Sequence, residues 1–282
     1  VTALNTFTLP KARAAISQKG WILAVCKRAF RIPYVLYSFS SILFLIVWHL
    51  AAIYIGKFLP TPLDVLREFI ILCKVTLAGK TLFGHLWASI HRVLIGWALA
   101  VVIAVPLGVF MALNDYVRAI VKPLFDLFKP MPPISWISLA ILWFGMGEES
   151  KVFIIAIGSI VPCILNSYNG IRLVDPALYD AARMLGANRR QEIMEVAFFG
   201  SAPAIFAGLQ ISLSIAWSCV LAAELVGSRS GMGFTIILGM NQLNPAMIVA
   251  GMIVIAITAW LISVVMGRLE RIVCPWKREI PF

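Results

Sequence analysis

Gln210, Ser214, Trp217, Ser218 and Glu224 are the residues best equipped to handle a polar solute in this chain. They lie in one apolar run and recur at roughly i, i+4, i+7, the spacing that lines one face of a helix. Polar groups in such a run turn toward a bundle interior. Two roles fit: lining a path for a solute, or bonding one helix to the next. Glu224 lies near the outer end of the run, as a gating or structural acid; the plainer alternative is a shallow, solvated acid or one paired with Arg229. Arg92, at the start of another apolar run, is the cation placed to meet an anion, unless it snorkels to the membrane surface.

The residue inventory argues against catalysis. The 282 residues include only 13 acids and three histidines, and no Ser/His/Asp or metal-ligand cluster is visible. His85 and His91 are six apart and point to different faces of a helix. The five cysteines (Cys26, Cys73, Cys163, Cys219, Cys274) are scattered and odd in number, and none forms a CxxC, so neither a disulfide framework nor a zinc site follows. There is no GxxxxGK[ST] loop to cradle ATP phosphates. The sequence is therefore read as a non-enzyme without a cofactor or metal of its own.

The elements that must carry these residues are membrane helices. Hydrophobic residues make up 61% and charged residues 13%, about half the charge of an ordinary soluble domain, and the mean hydropathy is +0.93. The net charge of +11 is assigned to membrane-facing loops and anionic lipid rather than to nucleic acid. Six runs reach the roughly 20 residues a span requires: about 34–56, 89–113, 120–144, 152–171, 202–226 and 246–267. The third is broken by KPMPPIS. Pro132 and Pro133 remove backbone donors, so that break must face protein or water. Trp136 and Trp143 flank it, as interface anchors or as parts of a hinge. The segment after Pro62 reads as a short amphipathic helix. Six spans put both ends on one side, and the basic tails at 1–33 and 271–282 make that side cytoplasmic. The membrane domain is 34–270.

Between the fourth and fifth spans lies LYDAARMLGANRRQEIMEVAFFGSAP, a polar segment where a short loop would serve. Asp175 and Pro176 are a helix start, with Asp as N-cap and Pro at the first position. Gly186 is a stop. Leu178, Ala181, Ala182 and Leu185 share one side of the intervening helix, while Asp180 and Arg183 look elsewhere. Asn188 and Gln191 form a capping box for a second helix. The first helix is too short to cross a membrane. It either lies on lipid or meets another protein.

This segment resembles the EAA motif of ABC importer permeases: Glu-Ala-Ala, three residues, Gly, nine residues, Ile, any residue, Leu, Pro. Here it reads Asp180-Ala181-Ala182, Gly186, Val196 and Phe198-Phe199, with Asp for Glu and Phe199 for Pro. FLPTPLDVL, KPMPPISWISLAILWFGMGEESKVFII, AGLQISLSIAWSCVLAAELVG and GMGF are similar to the nitrate, sulfonate and taurine branch, most of all to taurine-type members. The resemblance runs from about Trp48 onward. It implies an all-α, six-helix permease of the type I (MetI-like) importer fold in a bacterial inner membrane. It also implies a coupling helix at about 176–190 that docks, through Asp180, Ala181, Ala182, Leu185, Gly186 and Ala187, into a cytoplasmic ATPase. Two ATPase chains carrying ATP and Mg, a second copy of this chain and an extracytoplasmic binding protein would complete the transporter. The solute would be small and anionic. A stand-alone carrier would call for inverted repeats, and the chain halves show no such similarity.

Overall fold

The computed structural model describes residues 33–276. The two basic tails fall outside them, save 33 and 271–276. The chain divides into two units, Val1–Leu63 and Asp64–Phe282. The first contains α1 (Pro33–Ile55), which is apolar on all sides. Its 23 residues reach about 34 Å, enough to cross hydrocarbon.

The remaining elements are α2 (Pro62–Lys74), α3 (Leu82–Leu113), α4 (Asp115–Phe128), α5 (Ile137–Phe144), α6 (Glu148–Arg172), α7 (Pro176–Met184), α8 (Phe198–Leu225), α9 (Met232–Asn241) and α10 (Pro245–Val273). Among the described residues there is no strand, only an isolated bridge between Leu77 and Lys80. Helix α2 is the expected amphipathic segment after Pro62. Among the described residues five helices are long and apolar enough to span, and there are six if α4 and α5, bent by 88° at their break, count as one span.

Helix direction decides how the bent pair must run. A Cβ added to Gly96 would stand 2.7 Å from Ile155, and one added to Gly108 would stand 2.7 Å from the Ile164 carbonyl. The contacts advance together, so α3 and α6 pack in parallel over about 18 Å. The chain between them must therefore return the same distance, and α4–α5 make that return. Pro132 and Pro133 stand at the bend, as expected. One side of the break packs on the bundle, since a Cβ on Gly158 of α6 would meet both Pro133 and Cys219 of α8, while Met131, Pro132 and Ile134 are exposed.

Helices α6 and α8 run antiparallel, since Gly158 faces Cys219 while Gly170 faces Ala204. Their glycines let the backbones approach closely, which is how helices associate where lipid supplies no hydrophobic drive. Helix α10 returns beside α8, with Gln210 bonded to Glu270 and Phe199 edge-on to Trp276. The bundle thus has two distinct ends. One holds α7, the start of α8 and the close of α3, α6 and α10. The other holds the starts of α3 and α6, the close of α8, and α9.

Candidate functional site

At the first end, the helix-turn-helix forms as the sequence predicts. The Asp175 side chain accepts from the Ala177 N–H at 2.9 Å, and Pro176 opens α7. Gly186 closes it at φ +84°, a left-handed conformation that costs a side-chain-bearing residue about 1–2 kcal/mol. Its N–H donates to the Arg183 carbonyl at 2.9 Å, and the Ala187 N–H donates to the Ala182 carbonyl at 3.0 Å. This pair of bonds is the Schellman stop. The capping box follows: the Asn188 N–H donates to Gln191 Oε1 at 2.9 Å, and the Gln191 N–H donates to Asn188 Oδ1 at 3.0 Å.

Helix α7 buries none of its residues. Leu178, Ala181 and Leu185 are exposed, Leu185 by 89%, and Ala182 is half-buried. Asp180 and Gly186 are exposed and Ala187 is half-buried. Among the described residues, nothing covers the apolar side of this short helix beyond the half-buried Ala182.

The helix is nevertheless held at a fixed angle. Glu192, 5% exposed, accepts from Arg183 Nε at 2.7 Å and from Arg189 at 3.2 Å. Arg183 also lies 3.6 Å from Asp180. Glu192 opens a π-helical turn, Glu192–Ala197, that leads into α8. Such turns are rare and gather at functional sites. Phe199 sits inside the continuing helix, and Pro203 is accommodated within α8 without ending it.

We expect Glu192→Gln to loosen α7 from α8 while leaving the spans in place. Solute uptake should fall about tenfold or more, since a neutral amide replaces the carboxylate that both Arg183 and Arg189 hold. ATP hydrolysis by the co-purified complex should persist. Parallel loss of both, or of neither, would contradict a positioning role for this residue.

At the opposite end the structure builds a charged cluster that sequence spacing did not suggest. Arg92 is 3% exposed and Glu224 0%. Arg92 donates to Glu224 Oε1 and to Glu148 Oε1, each at 2.6 Å, and to the Ser230 carbonyl and hydroxyl, each at 2.8 Å. Ser89 donates to Glu224 at 2.8 Å, and the Gly233 N–H donates to its other oxygen at 2.9 Å. The Met232 N–H donates to Ser89 Oγ at 2.8 Å, and the Gly231 N–H to His85 Nδ1 at 3.2 Å. His85 therefore carries its proton on Nε2, which donates to the Leu77 carbonyl at 2.9 Å.

His85, Ser89 and Arg92 are spaced i, i+4, i+7, so one face of α3 grips the GMGF turn. Both glycines of that turn are required by closeness, because a Cβ at Gly231 would stand 2.3 Å from the Glu224 carboxyl and one at Gly233 2.6 Å from Glu224 Cβ. Two expectations change here. Arg92 neither snorkels nor waits for an anion. Glu224 is neither solvated nor paired with Arg229. They pair with each other, because a buried carboxylate at this depth needs a charge partner.

The five-residue stripe of α8 does not share one surface. Gln210 is half-buried, and Ser214 and Ser218 are exposed with their hydroxyls bonded back to carbonyls four residues earlier. Trp217 (4% exposed) and Glu224 are buried. At 100° per residue, Glu224 lies about 120° round the helix from Ser218, so the i, i+4, i+7 approximation drifts off the face. The helix-bonding role holds for Gln210, bonded to Glu270 of α10, and for Glu224, bonded to Ser89 and Arg92 of α3, and other residues share it. Trp97 Nε1 donates to Ser212 Oγ at 2.8 Å, and Ser159 Oγ donates to the Ser212 carbonyl at 3.4 Å.

Comparison with known proteins gives this arrangement a family. Residues 104–279 match the model for binding-protein-dependent transport system inner membrane components. The taurine transport system permease protein TauC of Escherichia coli is 34% identical over 248 residues, covering 85% of this chain and 88% of that protein. The putative aliphatic sulfonates transport permease protein SsuC of Bacillus subtilis is 33% identical, covering 78% and 79%. An inward-facing structure of the MetNI methionine ABC transporter matches 72% of this chain and 97% of the solved one, with a TM-score of 0.58 at 18% identity. The chain belongs to the binding-protein-dependent transport system inner membrane component family, as the membrane permease subunit of an ABC importer.

Proposed function

We propose that this permease carries a small sulfonate-like anion across the bacterial inner membrane, driven by two copies of a separate ATPase docked on α7. The observation that carries the coupling role is α7 itself. It is a nine-residue helix with both ends capped and no buried residue, held to α8 through Glu192. An exposed apolar face on a rigid arm suits a protein cleft better than water.

Orientation follows from charge. Arg172, Arg183, Arg189, Arg190, Arg268 and Arg271 gather at the α7 end, and a concentration of basic residues marks the cytoplasmic side. The GMGF end then faces outward, toward a binding protein that delivers the solute. Both tails (1–33 and 271–282) are cytoplasmic, the permease domain is 34–270, and the coupling element is about 176–190.

Two copies of the chain would set the open faces of α8 toward each other. Gln210, Ser214 and Ser218 would line the path between them. Trp217 and Glu224 would support that path from behind, with the Arg92–Glu224 pair fastening its outer end. Closure of the ATPases on Mg-ATP would pull on α7, and the packed helices would rock as rigid bodies. The solute class is supported by the taurine and sulfonate relatives. It also fits a path lined by amide and hydroxyl groups with the acid held out of it.

The test is uptake into proteoliposomes made from the co-purified complex, with ATP inside and a binding protein outside. Taurine, an alkanesulfonate, nitrate and bicarbonate are compared as labelled solutes. We expect uptake of a sulfonate that vanadate stops and a proton uncoupler leaves unchanged. Uptake that ignores ATP and collapses with the uncoupler would instead indicate a stand-alone carrier.

A further inference from the structure

We propose a second, inner site: a cavity at the α7 end, between α8 and α10, that binds a small oxyanion through Arg268. It rests on the importer reading for its place on the solute path, though its chemistry stands on the residues alone.

The cavity measures about 770 Å³, and Gln210, Gly267, Arg268, Glu270 and Arg271 are among the residues that line it. That volume lies within the usual range for small-molecule sites. The α10 wall comes largely from one helical face, since 264, 267, 268 and 271 follow i, i+3, i+4 spacing. Gly267 leaves the space open: a Cβ there would meet no atom within 4 Å.

The lining is suited to an anion. Arg268 is exposed and presents a planar set of N–H donors. Such a fork binds sulfonate, phosphate or carboxylate oxygens in pairs. Glu270 is the acid in the wall, but it is 9% exposed and its Oε2 accepts from Gln210 Nε2 at 2.7 Å. The carboxylate is thus spent in part on the amide that forms the opposite wall. Its repulsion of an anion is reduced, and Arg268 stands beside it in the wall.

The position adds a second argument. Gln210 is the lowest rung of the open face that continues through Ser214 and Ser218, each about 6 Å above the last. A solute descending that face would leave α8 at this cavity. A cationic pocket there would receive the anion before it enters the cytoplasm. The same oxyanion chemistry is offered by the headgroup of an acidic phospholipid in the inner leaflet.

The full chain, with whatever subunits co-purify, is placed in nanodiscs of phosphatidylcholine and titrated with ³⁵S-methanesulfonate. We expect saturable binding. Arg268→Gln should weaken it about tenfold, equivalent to roughly 1.4 kcal/mol. Gly267→Phe, whose Cβ would meet no atom within 4 Å and whose ring would occupy the cavity, should abolish it.

A parallel series in discs containing phosphatidylglycerol separates the two sources. Unchanged binding makes the free solute the occupant. Binding lost only in those discs makes it the lipid headgroup, and both results support an oxyanion site. Absence of saturable binding in phosphatidylcholine, or binding indifferent to both variants, would overturn it. If a P-loop ATPase still co-purifies in that case, only this site falls. If no ATPase co-purifies while the anion binds, the importer reading falls and the site stands.

Discussion

Arg92→Ala is expected to destabilise the permease by about 3–5 kcal/mol, the penalty for stranding a buried charge after its partner is removed. Glu224 has no exposed surface, and without the guanidinium it would keep only Ser89 and the Gly233 N–H as partners. Ser230 would lose both of its bonds to Arg92, so the turn before α9 would be held to α3 through His85 and Ser89 alone. Arg92→Lys should recover little, because one ammonium cannot reproduce a planar fork that reaches two carboxylates and Ser230 at once. Glu148→Gln should be milder, since that side chain is 62% exposed.

The measurement is the temperature at which the purified protein loses its monodisperse elution peak. The double variant Arg92→Ala/Glu224→Ala should be less damaged than the sum of its singles, because Arg92→Ala alone strands the buried Glu224 charge and Glu224→Ala alone leaves Arg92 with Glu148 as its one carboxylate. Additive losses would show that the two residues act separately.

Gly186→Trp is expected to abolish uptake while leaving the spans inserted. Two costs combine. A Cβ at φ +84° strains the Schellman stop by about 1–2 kcal/mol, and the indole projects from the arm that has to enter the ATPase. Nothing lies within 4 Å of an added Cβ, so the bundle itself has no reason to fail. Gly186→Ala separates the two costs: it retains the strain and adds little bulk. It should therefore keep much of the uptake that Trp loses. Equal loss in both would assign the effect to the turn alone. Normal uptake in the Trp variant would remove α7 from the coupling role.

The parts legible in sequence were those set by local chemistry. Asp175-Pro176, Gly186 and the Asn188/Gln191 box specify their own geometry within four residues, and the structure reproduces each. The break at Pro132-Pro133 was legible for the same reason. Its direction was not, because only the parallel packing of Gly96 and Gly108 on α6 shows which way α4–α5 must run.

The clusters that stayed hidden join residues far apart in the chain. Arg92 and Glu224 are 132 positions apart, and no local pattern pairs them. Half of the signal was present, since His85, Ser89 and Arg92 recur at i, i+4, i+7 on one helix. Arg183 and Glu192 are nine apart and meet only after the Schellman turn folds α7 back. The stripe on α8 was misread by angle. A run of 15 residues is long enough for the helical period to carry Glu224 off the face that holds Ser214 and Ser218.

The most direct test of the central claim is a mild-detergent purification of the full chain from its native cells, followed by mass spectrometry of what accompanies it. The account predicts a P-loop ATPase at one copy per permease, retained by Arg268→Gln and lost by Gly186→Trp. A chain that purifies alone across several detergents, or an ATPase that stays bound whatever is done to α7, would contradict it.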